Sequence, residues 1–155
     1  MCHKKRQEAL RKIRDNIGTP DCRVNFPGMT WEQLNCLAND PLMTIGGHGH
    51  EHLILTEESR ETARQEIVTN KQELEAQLNQ EIHIFSYPNG SRNDLIIDLL
   101  KRVGFHYAVT AKEGFVGVDP YSIRRITVRN PLSMNGYRAL VSGIIYISDR
   151  IGNIL

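Results

Sequence analysis

The sequence predicts an α/β fold built on a parallel sheet. Two observations carry this expectation. From residue 43 onward, short β-branched and aromatic runs alternate with amphipathic helical stretches, the pattern of strand–helix–strand units with right-handed crossovers. The polar clusters also fall just after the strand runs, where parallel sheets hold their chemistry. The chain has 155 residues, 40% hydrophobic and 24% charged, a composition near the globular average. A chain of this size buries roughly 70% of its unfolded surface, enough for a core without staples.

The elements follow in order. Residues 3–17 place Ala9, Leu10, Ile13 and Ile17 on one stripe, and Gly18 ends the helix. Pro20, Pro27 and Gly28 mark a linker over residues 19–29. The expected division is therefore an N-terminal helix and linker over 1–29 and one domain over 30–155. Thr30 and Gln33 form a capping box for a helix carrying Leu34 and Leu37, with Trp31 in its first turn. Met43-Thr44-Ile45, closed by Gly46-Gly47, reads as a buried strand. About residues 57–79 form a long helix with Ala63, Ile67, Leu74 and Leu78 on one side. A strand over Ile82–Tyr87 stops at Pro88-Asn89-Gly90. Ser91 is the expected cap of a helix carrying Leu95, Ile96, Leu99, Leu100 and Val103, which Gly104 ends. Phe105–Thr110 and Ile123–Val128 are the remaining strands. Residues 134–148 suit either a strand or a helix face.

Charge and composition exclude several classes. Lys+Arg number 19 against 18 Asp+Glu, with no basic cluster of the kind a nucleic-acid clamp needs. The acidic excess over residues 51–82 coincides with the long helix and reads as a solvated face. No apolar run approaches the ~20 residues of a membrane span, and no apolar core follows the basic start. The expected location is the cytoplasm if the chain is complete. Cys2, Cys22 and Cys36 fit neither a disulfide framework nor a Cys-x-x-Cys zinc site.

His48-Gly49-His50-Glu51-His52 holds three of the chain's six histidines. Imidazole is a common zinc ligand, and a strand-end loop can aim alternate side chains at one point about 2.1 Å from each donor. The spacing allows His48/His50 as a His-x-His pair, or His48/His52 as His-x-x-x-His.

Several ordered motifs resemble the polysaccharide deacetylase family, the NodB homology domain of carbohydrate esterase family 4. They are Thr44-Ile45-Gly46-Gly47-His48-Gly49-His50-Glu51-His52 through Leu55-Thr56, then Glu66-Ile67 and Lys71-Gln72-Glu73-Leu74-Glu75 on the long helix. Phe85-Ser86-Tyr87-Pro88-Asn89-Gly90, Gly104-Phe105-His106-Tyr107-Ala108-Val109-Thr110, Asp119-Pro120-Tyr121 and Arg125-Ile126 follow. The match covers about residues 30–130.

The resemblance implies a partial (β/α) barrel and a hydrolase that removes N-acetyl, or O-acetyl, groups from a polysaccharide. It implies one divalent metal, commonly zinc, with His48 and His52 as its imidazole ligands. Asn89 falls at the family's backbone oxyanion donor, and Arg125 at a residue that orients the catalytic carboxylate. The family's Asp-Asp strand, which supplies the general base and third ligand, has no counterpart. The seven aspartates are scattered from Asp15 to Asp149. The simplest expectation is an incomplete catalytic domain that lacks its N-terminal third and has little activity by itself; the alternative is a rebuilt site in which His50 or Glu51 supplies the third ligand. A second function kept open is an inactive carbohydrate-binding or interaction module. A barrel lacking its first strands leaves an open sheet edge, which predicts self-association. The helix over residues 3–17 is expected to cover part of that opening.

Overall fold

The protein, seen in a computed structural model, is described over residues 3–17, 28–115, 117–128 and 133–143. Its elements are α1 (His3–Ile17), α2 (Trp31–Ala38), a single 3-10 turn (Leu55–Glu57), α3 (Arg60–Leu78), β1 (Ile84–Ser86), a tight turn over Pro88–Gly90, α4 (Asp94–Val103), β2 (Tyr107–Glu113), β3 (Ile123–Arg125) and α5 (Met134–Ser142). The sheet runs β1-β2-β3 and both pairings are parallel, as expected. Ile84, Phe85 and Ser86 stand opposite Tyr107, Ala108 and Val109.

Alternation along β1 decides where the core lies. Phe85 is fully buried and Tyr87, two residues on, nearly so, because successive side chains leave a strand on opposite faces. Phe85 packs edge-on against Tyr87 and Phe105, with ring centroids 5.9 and 5.2 Å apart. Over them lie Ala63, Ile67, Leu74 and Leu78 of α3 and Ile96, Leu99 and Leu100 of α4. The stripes expected on these two helices are thus the core, except Val103, which is partly buried against it, and Leu95, which is exposed.

The caps confirm some boundaries and move others. Thr30 and Gln33 make the reciprocal capping box, and Gly104 ends α4 in the left-handed conformation. The cap of α4 is Asn93, not Ser91: its side-chain oxygen accepts from the Ile96 N–H at 3.0 Å. Ser91 instead donates its backbone N–H to the Pro88 carbonyl, closing the preceding turn. The long helix starts at Arg60, capped by Ser59, because the chain first makes the 3-10 turn.

The strands also differ in extent from the sequence pattern. Met43-Thr44-Ile45 is not a buried strand. Met43 is half exposed, and its N–H is taken by the Asp40 carbonyl in a turn. Pairing begins only at Gly47, a single parallel bridge to Phe85. There the Gly47 N–H donates to Ile84 and its carbonyl accepts from Ser86, each at 2.8 Å. The ladder of β1 is confined to 84–86, that of β3 to 123–125, while β2 runs on to Glu113. Leu10 and Ile13 of α1 are about half exposed, so these two side chains do not cover the sheet. The Ile17 side chain and most of the expected linker lie outside the described residues. So does 144–148, whereas 134–142 is helical.

Two polar devices tie α3 and the 119–123 segment to the sheet. Lys71 pairs with Glu75 at 2.8 Å and donates to the Ile82 carbonyl, and Glu75 accepts the Ile82 N–H at 2.9 Å. The Tyr87 hydroxyl donates to the Tyr121 carbonyl, and the Tyr121 hydroxyl to that of Phe105. Burial pushes the Tyr87 hydroxyl well above the usual tyrosine range, so it stays a donor.

Burial alone would raise the Glu75 carboxyl, but the Lys71 hydrogen bond, the Ile82 N–H and the Lys71 charge together hold it below its usual 4.5. A depressed native value adds stability that is present above the unfolded pKa and is lost as pH falls through the native one. The unfolding free energy should therefore drop as pH falls from about 4.5. Glu75→Gln should be less stable at neutral pH by about 1 kcal/mol and show a shallower acid dependence. Denaturant unfolding at stepped pH measures both.

Candidate functional site

The loop from Gly47 to His52 leaves the sheet edge beside the Pro88–Gly90 turn. Close approach dictates its glycines. A Cβ on Gly47 would lie 2.8 Å from Asn70 Oδ1 and 3.1 Å from the Phe85 and Phe105 rings. Gly49 has φ +87, and a Cβ there would sit 3.3 Å from Glu66 and 3.7 Å from Pro88. Gly49 thus holds a left-handed position between α3 and the turn that other residues rarely adopt.

Helix α3 holds this loop from below. Glu66 Oε2 accepts the backbone N–H groups of His50 and Glu51 at 3.1 and 2.9 Å. One turn on, Asn70 Oδ1 accepts the His48 N–H at 3.0 Å. Glu66 is only 6% exposed. A buried carboxylate of this kind persists because it satisfies two donors that would otherwise be stranded. Sequence reasoning assigned Glu66 and Asn70 no part in the site. The available signal was two polar residues at positions of the Ala63–Ile67–Leu74 stripe, where helical spacing calls for apolar ones.

Two histidines meet on this loop. The rings of His48 and His52 lie 4.8 Å apart, edge to face. His48 Nδ1 stands 2.7 Å from the Ser86 carbonyl oxygen. A carbonyl can only accept, so Nδ1 carries the proton and the neutral ring keeps its lone pair on Nε2. This is the arrangement that orients a metal-binding imidazole. His52 has φ +55, a conformation rare for residues other than glycine. His50 is placed differently. Its Nδ1 donates to Glu73 at 3.1 Å, and its Nε2 lies 3.5 Å from Glu51. To serve as a third ligand it would have to turn Nε2 away from Glu51, while its Nδ1 bond to Glu73 could stay in place.

The remaining expected residues lie near the strand ends. Asn89 has φ 57 and ψ 9 inside the turn. Gly90 follows at φ +68, with its Cα so close to Ala111 that a Cβ would sit 2.4 Å from the alanine Cβ. Arg125, on β3, donates from Nε to the Thr110 carbonyl at 2.8 Å and so clasps β2. Among the described residues, no three His, Cys, Asp or Glu side chains converge as a metal-binding group. The fit to a metal ion is therefore that of an imidazole pair, His48 and His52, with Nε2 of His48 available.

The family model for polysaccharide deacetylase matches residues 10–108. No curated protein matches the chain. Among solved structures, the Streptococcus pyogenes deacetylase PplD, in complex with acetate, superposes with a TM-score of 0.70 and 24% identity, covering 76% of this chain and 52% of that one. IcaB from Ammonifex degensii gives 0.62 and 17%, covering 74% and 54%. A polysaccharide deacetylase from Bacillus cereus gives 0.66 and 15%, covering 88% and 46%. The chain spans about half the length of these structures. Likeness at this identity establishes a shared fold.

If Glu66 organises the loop, Glu66→Ala should destabilise the protein by roughly 2–4 kcal/mol, because two part-buried hydrogen bonds to its carboxylate are lost. Glu66→Gln, which keeps an acceptor, should lose less. Urea unfolding compares them, and a Glu66→Ala variant as stable as the natural protein would refute the role.

Proposed function

The chain belongs to the polysaccharide deacetylase family, and from that premise we propose that it serves a metal-dependent hydrolase that removes N-acetyl, or O-acetyl, groups from a polysaccharide. The observation that carries the reading is the imidazole pair: His48, with Nδ1 bonded to Ser86, beside His52. His48 and His52 hold a divalent ion, zinc by donor type. When bound, such an ion polarises an acyl carbonyl and lowers the pKa of a water.

The chain's own residues then have distinct tasks. Ser86 orients His48 through its carbonyl, and Asn70 and Glu66 fix the loop that carries both imidazoles. The Asn89 N–H, in a turn of fixed left-handed geometry, donates to the acyl oxygen as charge builds on it. Arg125 orients a carboxylate at the end of β3. In the overall hydrolysis, water's oxygen bonds to the acyl carbon, the C–N or C–O bond breaks, and acetate leaves. A third metal donor and a general base complete the site, with His50 and Glu51 as the local candidates for the ligand.

A second reading is a catalytically inactive carbohydrate-binding or interaction module. It is favoured by the absence, among the described residues, of a three-donor group. Among those residues no helix is long and apolar enough to cross a membrane. The segment before His48 exposes Leu42 and Met43, apolar surface through which copies of the chain can associate.

Calorimetric titration with zinc tests the metal. His48→Ala/His52→Ala should abolish binding, and a chelator should reverse it in the natural protein. Asn70→Ala should weaken binding about tenfold, as loss of outer-shell support does. Equal binding by the double variant would sink the assignment, and a dominant loss in His50→Ala would move it to the His-x-His pair. Acetate release from an N-acetylglucosamine oligomer, with metal present, separates the two functions. Activity that falls with His48→Ala supports the hydrolase, whereas binding without release supports the module.

A further inference from the structure

The loop after His52 and the loop holding Asn89 are separated by a groove of about 560 Å³, lined by Thr56, Gly90, Arg92, Asp94 and Lys112 among others. Two of these residues are cationic. Arg92 donates from Nη2 to the Ser122 hydroxyl at 2.6 Å, which anchors the guanidinium without neutralising it. Among the described residues neither Arg92 nor Lys112 has a carboxylate partner, although the ion pairs of this chain are numerous elsewhere. Asp94 is the one acid in the lining, and it sits in the first turn of α4, where the helix N-terminus offsets its charge. The groove therefore presents a net positive field beside the turn that carries Asn89.

Resting on the deacetylase reading, we propose that this groove is a subsite for an acidic sugar, and that the chain selects polysaccharides carrying a carboxylate close to the acetylated residue. A guanidinium fork matches a carboxylate with two parallel N–H donors, and a nearby ammonium adds a point charge. Neutral hydroxyls could use the same donors, but they gain nothing from the field. Thr56 and the Gly90 backbone supply the uncharged walls along which a pyranose ring can lie.

The test compares a hyaluronan tetrasaccharide, whose glucuronates carry carboxylates, with the same tetrasaccharide reduced to primary alcohols at those carbons. The skeleton is constant and only charge differs. Binding is read by calorimetry on the full 155-residue chain. The acidic form should bind about three- to tenfold more tightly at low salt, the range expected for one or two partly exposed charge pairs. That preference should shrink at high salt. It should vanish in Arg92→Gln/Lys112→Gln, which keeps the weaker affinity for the reduced form. Lys112→Gln alone, at an exposed position, should remove part of it without touching the Ser122 contact. Equal binding of the two forms, or a preference that survives in the double variant, overturns the subsite and leaves the deacetylase reading standing. Failure of both forms to bind overturns the subsite and counts against the deacetylase reading as well.

Discussion

A single buried carboxylate sets the shape of the candidate site. Glu66 reaches up from the core-facing side of α3 and accepts two consecutive backbone N–H groups from the loop above. Such an acceptor contributes about 1.5–3 kcal/mol per hydrogen bond and holds a loop whose His50 and Glu51 are otherwise exposed. With it, residues 48–52 turn tightly enough to bring His48 and His52 into ring contact. Asn70, one helical turn later, fixes the point where this loop leaves the sheet edge.

The same helix is clamped again near its other end. Lys71 and Glu75 grip both backbone groups of Ile82, just before β1 begins. Lys71 also lies over the Phe105 ring, 4.8 Å from its centroid. Register between α3 and β1 is therefore set at two points, one below the sheet's start and one above its end. Since His48 takes its tautomer from the Ser86 carbonyl on β1, a slip of that register would release the imidazole. Charge pairing at one end of the sheet thus supports ligand geometry at the other.

Backbone strain gathers where the chemistry is proposed. Among the described residues, three other than glycine have positive φ: His52, Asn79 and Asn89. Asn79 merely ends α3 in the left-handed conformation, a routine task for asparagine. The other two lie in the facing loops of the candidate site, and Gly49 and Gly90 beside them share the same region of backbone space. Such conformations persist only where surrounding contacts over-determine them. Beside them, Ala111 leaves no room for a side chain at Gly90, and Glu66 crowds one at Gly49.

What the sequence by itself determined was whatever depends on near neighbours. The stripes of α3 and α4, the Thr30–Gln33 box and the Gly104 stop are interactions within a turn or two, and these stand in the structure. The ordered motifs from Thr44 to Thr110 likewise carried the family and the parallel α/β fold, because spacing along the chain encodes them. The tertiary structure alone decided matters that depend on distant partners. Met43–Ile45 has the composition of a strand, yet a ladder forms only where a neighbour offers its N–H and C=O groups, and that first happens at Gly47. Ser91 and Asn93 are both good caps, and the choice fell to Asn93 because the helical backbone begins only at Asp94, where the Asn93 oxygen reaches the Ile96 N–H. The parting of His50 from its neighbours came from Glu73, 23 residues away. No local pattern records which carboxylate a folded helix will bring to an imidazole.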